Sequence, residues 1–242
     1  MSDPFAEFEA LLEELEQHKP GTPQPSVTVR RGAWAHLRRW LSRGLLLAAA
    51  LIFPFWLLVG GSVTLYRHFG VPTWPALLGG VLLTALLLLV YASWVAKRIS
   101  GKRRVPFNVT KVLLAVVGAY CFYALIYLSG LNAKHEEVRS EYRSLHPLLR
   151  VATSTLILVD SDLVITDMQR RATDYEKMVL PLYERSLHFV QEDGYAHAVD
   201  LRTIGRSGWR NLLMKFYFKA MGFRTLRHTG TADHLHVSLP TH

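Results

Sequence analysis

The chain has 242 residues, half of them hydrophobic, with a formal net charge of +9 and a single cysteine, Cys121. That length admits one compact domain plus additional elements, and one cysteine excludes any intrachain disulfide. The charge excludes a nucleic-acid partner by its distribution: residues 1–43 carry six basic and six acidic side chains and residues 132–242 carry fifteen and thirteen, so the excess is in residues 44–131, where seven basic and no acidic residues flank apolar runs.

Residues 3–18 place Phe5, Phe8, Leu11, Leu12 and Leu15 on one helical stripe with glutamates opposite, which predicts an amphipathic helix. Such a helix is either a solvated or membrane-edge element or an acidic docking helix for a membrane or cytoplasmic protein partner. Pro20, Gly21, Pro23 and Pro25 then mark a linker, so residues 1–29 form a cytoplasmic helix-and-linker segment.

Residues 30–43 are basic and aromatic, as expected at an anionic membrane surface. From Gly44 to Tyr66 there is no charged residue, more than the about 20 residues needed to cross a bilayer core. Pro54 falls inside this run, a position transmembrane helices tolerate. A second span is expected over Trp74–Ala96, with Trp74, Tyr91 and Trp94 near its ends as interfacial aromatics. The basic loop 97–111 separates it from a third, about Val112–Leu131. Residues 30–131 thus read as a three-span membrane region. No charged residue lies inside the spans, which points to an anchor rather than an ion pathway, with Gly60, Gly61, Gly79 and Gly80 available for close helix packing. The positive-inside rule puts the amino terminus and the 97–111 loop in the cytoplasm and residues 132–242 outside. The expected location is the bacterial inner (cytoplasmic) membrane, multi-pass, with the terminal domain periplasmic or extracellular.

Residues 132–242 read as α+β: helices over 134–145, 174–189 and 211–221, a strand or hairpin over 155–167, and strands at AHAVDL (196–201) and HLHVSL (234–239). Two stretches, Q191-E-D193-G-Y-A-H197-A198-V-D200-L and D233-H234-L-H236-V, supply imidazoles and carboxylates, ligand types that suit zinc where no cysteine is available. Residues two apart on a strand share a face, so His234 and His236 can look into one pocket.

The ordered set resembles the LAS metallopeptidases, a family of zinc D-Ala-D-Ala carboxypeptidases and dipeptidases, phage L-alanyl-D-glutamate endolysins and the hedgehog signalling domain. Their pattern is Ser-x-His-x-x-Gly-x-Ala-x-Asp followed by acid-x-x-His. Here A198-V-D200 matches the Ala-x-Asp part, D233-H-L-H236 the terminal part, and LVITDMQR the segment ending in a functional arginine. The resemblance covers roughly residues 150–240. It covers none of the membrane region, and it implies that the three transmembrane helices are followed by a small antiparallel-sheet-plus-helices zinc domain acting on peptidoglycan peptides. It further implies Asp200 and His236 as zinc ligands, Asp233 as the catalytic carboxylate, His234 as an oxyanion or substrate contact, and Arg170 as a grip on substrate carboxylate or carbonyl. The first ligand departs from the pattern. Ungapped alignment puts Asp193 at the family's histidine; S186-L-H188 reproduces Ser-x-His but needs a five-residue insertion before Asp200. Asp193 is taken as the ligand and His188 as the alternative, while His197 is expected to face away from Asp200. His135, His146, His228, His242 and Glu192 read as surface residues. A non-catalytic binding or sensor module on the same scaffold is the competing expectation.

Overall fold

A computed structural model describes residues 28–101, 105–177, 185–230 and 233–241, together with Glu9, Glu13, Val179 and Pro181. The amphipathic helix and proline linker expected over residues 3–29 therefore lie outside the described residues, apart from Glu9, Glu13 and the first turn that follows. The chain divides into two compact units, Met1–Ala48 and Ala49–His242. The described part of the first is helical, and its Trp34, Trp40 and Leu45 are exposed.

Three helices are long and apolar enough to cross a membrane: α1 (Thr28–Phe69), α2 (Thr73–Ser100) and α3 (Phe107–Ile126). The third begins and ends five residues earlier than its hydropathy predicts. Pro106 caps it with φ near −57°, already preset for a helix start, and Tyr127 turns extended and ends it. Small residues let α2 approach α1. A Cβ on Gly80 would overlap the Ser62 hydroxyl and sit 2.6 Å from the Leu58 carbonyl oxygen, and one on Gly79 would meet Leu65. Gly60 faces Trp56 and Met221 instead.

Beyond α3 follow α4 (Glu136–Ser140), α5 (Pro147–Val159), β1 (Ile165–Asp167), α6 (Ala172–Lys177), β2 (Ala198–Arg202), α7 (Gly208–Ala220), β3 (Arg224–His228) and β4 (His234–Ser238). The four strands form one antiparallel sheet in the order β1-β2-β4-β3. The fold is thus α+β, with three long apolar helices ahead of a small sheet. Several local expectations are corrected. Residues 155–159 do not begin a hairpin but finish α5, which Pro147 starts at its first turn and which buries every side chain from Pro147 to Leu156. The helix expected over 134–145 breaks into α4 and a 3-10 turn, Glu141–Ser144. The helix expected from Asp174 is α6, which ends at Lys177; 178, 180 and 182–184 lie outside the described residues.

The sheet domain and the spans share one core, in which Leu58 and Val63 of α1 join Leu148 and Leu149 of α5 and Val199 and Val237 of the sheet. Polar contacts reinforce it. Tyr142 donates its hydroxyl to the Ala124 carbonyl (2.7 Å), Arg150 donates Nη1 to the Leu125 carbonyl (2.5 Å), and Trp56 Nε1 donates to the Ala220 carbonyl (3.2 Å).

Candidate metal centre

Alternation along two strands builds the site. In β4, Leu235 and Val237 turn into the core, which places His234 and His236 on the opposite face. In β2, Val199 and Leu201 pair with Val237 and Leu235, so Asp200 stands directly across from His236 on the same face as the histidines. The His236 Nδ1 to Asp200 Oδ1 distance is 2.8 Å.

A third group arrives from the loop before β2. His188 is 2 % exposed, and its Nδ1 lies 2.7 Å from the Met168 carbonyl oxygen. A carbonyl only accepts, so Nδ1 carries a proton and Nε2 points the other way, the nitrogen that a neutral ring would offer to a metal. That Nε2 is 3.2 Å from His236 Nδ1 and 3.3 Å from Asp200 Oδ1.

Three donor atoms therefore form a triangle with edges of 2.8–3.3 Å. A tetrahedral zinc ion with bonds of 2.0–2.2 Å would place its ligand atoms about 3.4 Å apart. Two imidazoles and one carboxylate suit zinc in hardness and charge, and a histidine whose second nitrogen is held by a carbonyl is the usual orientation of a ligating imidazole. The residues present fit the ion.

Asp200 is 2 % exposed. Burial alone would raise its carboxyl pKa, but hydrogen bonds with His188 and His236, and the nearby His188 and His234, outweigh burial and hold it far below the ordinary carboxylate range. Its other oxygen is also held. Arg170 donates Nη2 to Asp200 Oδ2 (2.9 Å) and Nε to Asp167 Oδ2 (2.5 Å), while His234 Nε2 approaches Oδ2 at 3.5 Å. His228 of β3 stacks on the His234 ring with centroids 4.8 Å apart. Asp200, His236, His234 and Arg170 thus come together as the sequence predicts. Arg170, however, is turned onto two aspartates, the arrangement of a side chain that positions Asp200.

Asp193 does not join them. Gly194 (φ +85°) turns the chain immediately after it, and its carboxylate meets His197 Nε2 at 2.9 and 3.0 Å and His146 Nε2 at 3.6 Å. Asp193 does not reach Asp200 and His236 because residues 191–196 fold into this turn instead of extending into β2, and His188, the alternative, meets them instead. Two histidines and an aspartate, the ligand type favouring His188, were the signal for it. His197 faces away from Asp200, as strand alternation predicts.

His146 is fully buried, not a surface residue. Its Nδ1 accepts the Leu148 amide at the start of α5 (3.2 Å) and its Nε2 lies 2.9 Å from Thr73 Oγ1. An amide only donates, so the proton sits on Nε2, which donates to Thr73 Oγ1 and is the His146 atom nearest Asp193. Burial, with His197 and Arg150 nearby, lowers the His146 pKa to about 2 and keeps the ring neutral. In this second group Asp193 is hydrogen-bonded to His197, whereas His146 is hydrogen-bonded to Thr73 at the start of α2, and Nε2 of His146 offers a cation no lone pair.

No family model, curated protein or solved structure matches the chain. Function must therefore be argued from the site alone.

Asp233, the expected catalytic carboxylate, is held by Arg227 Nη2 (2.8 Å) and Nε (3.1 Å) and by the Thr203 hydroxyl (2.5 Å). Those bonds from Arg227 and Thr203 lower its pKa to about 2. Thr231 and Ala232, which precede it, lie outside the described residues.

Proposed function

We propose that the chain is a membrane-anchored zinc-dependent peptidase that hydrolyses peptide bonds of peptidoglycan stem peptides. The observation that carries this reading is the triangle of His188 Nε2, Asp200 Oδ1 and His236 Nδ1, with edges of 2.8–3.3 Å. Zinc bound there would supply Lewis acidity and lower the pKa of a coordinated water to about 7. The order of Ala198-x-Asp200 and Asp233-x-x-His236 along the chain supports the LAS type of peptidase. In this reading His188, Asp200 and His236 hold the ion and Arg170 fixes the Asp200 carboxylate. Asp233, three residues before His236, accepts the proton of the attacking water once it leaves Arg227. His234 contacts the substrate carbonyl. The uncharged spans and the basic flanks at residues 30–43 and 97–111 support a bacterial cytoplasmic membrane with the site on its outer side, where cell-wall peptides are found.

One observation favours a second reading, a zinc-bearing binding or sensor module. A carboxylate with a pKa of about 2 in the grip of Arg227 is a weak base. The full chain in nanodiscs, loaded with zinc and given a stem pentapeptide ending in D-Ala-D-Ala, separates the two. For a peptidase, Asp233→Ala abolishes hydrolysis and keeps one zinc per chain, while His236→Ala loses both. A zinc-loaded wild type that binds the peptide and releases no alanine or shorter peptide would favour the module. A wild type that retains no zinc would remove both readings.

A further inference from the structure

Helix α7 has two apolar faces, and only one of them is covered by protein. Asn211, Met214 and Phe218 turn inward and are buried. Trp209, Leu212, Leu213 and Phe216 are between 45 % and 68 % exposed. At about 100° per residue these four fall within an arc of roughly 100°, directly opposite the buried face. A helix in water would carry polar side chains there, and single exposed apolar residues need no explanation, but four at i, i+3, i+4 and i+7 form a continuous patch. Lys215 and Lys219 occupy one flank, a position from which long basic side chains reach up to lipid phosphates, and Arg210 on the other flank is paired with Asp160 and Asp162.

The depth of this patch is set by where α7 ends. Trp56 of α1 donates Nε1 to the Ala220 carbonyl, the Met221 sulfur lies against Gly60, and Gly222 (φ +93°) lies against Val63. Arg67 donates to the Gly222 carbonyl. Residues 56–63 belong to the uncharged run of α1, whose first charge toward this end is Arg67. At about 1.5 Å per residue, Val63 is about 6 Å below Arg67. Gly60 and Trp56 are about 10 and 16 Å below Arg67, so the carboxyl end of α7 is level with the outer half of the apolar band, which takes in the depth at which interfacial helices lie.

We infer that α7 is an interfacial membrane helix, with Trp209, Leu212, Leu213 and Phe216 immersed in the same bilayer that the three spans cross. The occupant of the patch is lipid, because the patch is continuous with the lipid-level surface of α1. This stands apart from the catalytic reading: it holds or fails whether or not the metal centre hydrolyses anything.

Fluorescence of the full chain in nanodiscs made with brominated phospholipid tests it. The chain has six tryptophans, so the Trp209 contribution is the difference between wild type and Trp209→Phe. Bromine just below the headgroup should quench that difference at least twofold more than an aqueous quencher such as acrylamide does. Nitroxide labels on single added cysteines at 212 and 216 provide the second measurement. Both should be accessible to oxygen and shielded from a water-soluble nickel chelate, like a label at Leu51 on the exposed side of α1 and unlike one at Glu137. Nickel access equal to that at Glu137 would overturn the inference. So would shielding from both reagents, which would mean that a second copy or another protein covers the patch.

Discussion

Replacing His188 with alanine tests which trio holds the ion. His188 supplies one of three protein donors, and its loss leaves only Asp200 and His236 at 2.8 Å from one another. Four-ligand structural zinc sites bind with about 10–16 kcal/mol, or roughly 3 kcal/mol per ligand, so His188→Ala should weaken zinc binding by at least about two orders of magnitude. Arg170→Ala removes the 2.9 Å bond to Asp200 Oδ2 without removing a ligand, and should cost about 10–100-fold. Asp193→Asn removes the carboxylate facing His197 and His146, and should leave zinc affinity within about threefold, because the His146 atom nearest Asp193 is a donor. Competition against a chromophoric chelator, on the full chain in nanodiscs, reads all three. Zinc lost from Asp193→Asn and retained by His188→Ala would refute the assignment and restore the ungapped alignment.

Two further outcomes follow from packing and burial. Gly80→Ala drives a methyl to 2.6 Å from the Leu58 carbonyl and into the Ser62 hydroxyl, so thermal unfolding should show a loss of about 1–3 kcal/mol, whereas Gly61→Ala, with its nearest contact at 3.7 Å, should be close to neutral; equal effects would mean that α1 and α2 do not meet at Gly80. His146 has a folded pKa of about 2 against about 6.5 unfolded, so between those values the unfolded chain binds the extra proton and stability falls as the pH drops below about 6.5, by up to about 1.4 kcal/mol per pH unit. His146→Asn keeps an acceptor for the Leu148 amide but cannot titrate, so its stability should fall less steeply between pH 6 and 5; parallel profiles would show that His146 is not buried neutral.

The parts of the fold legible in the sequence were those governed by a simple period or by charge. Long uncharged runs gave three helices, and the alternation of His234-Leu235-His236-Val237 gave a strand with both histidines on one face. Asp200 and His236 could be paired because a motif named them, and the sheet register then put them opposite one another. The turn at Gly194 was not legible, since a positive φ at one glycine decides whether residues 191–196 extend or fold back. Nor was α5. Its Thr155-Leu-Ile-Leu-Val tail has strand-like residues, but a helix buried from Pro147 to Leu156 and packed against α2, α3 and α7 follows its packing over its propensity. The hidden location of His146 has the same origin: its environment is supplied by Thr73 and Tyr66, more than 70 residues earlier in the chain.

The segment Asp167–Arg170 explains how the candidate metal centre is held together even though His188 sits on a loop. The Met168 carbonyl takes the His188 Nδ1 proton, and the Arg170 amide donates to the His188 carbonyl at 3.0 Å, so two bonds fasten the loop to the end of β1. Arg170 then reaches across to Asp200 Oδ2, which leaves Oδ1 facing both imidazoles. One short stretch therefore fixes the tautomer and position of one ligand and the orientation of a second, while the strand register fixes the third. His146 shows the contrast within the same chain. Its Nδ1 meets an amide where that of His188 meets a carbonyl, so Nε2 becomes a donor, held by Thr73. Which backbone group reaches Nδ1 is what separates His188 from His146, and that is a property of the fold that no spacing of histidines in the sequence encodes.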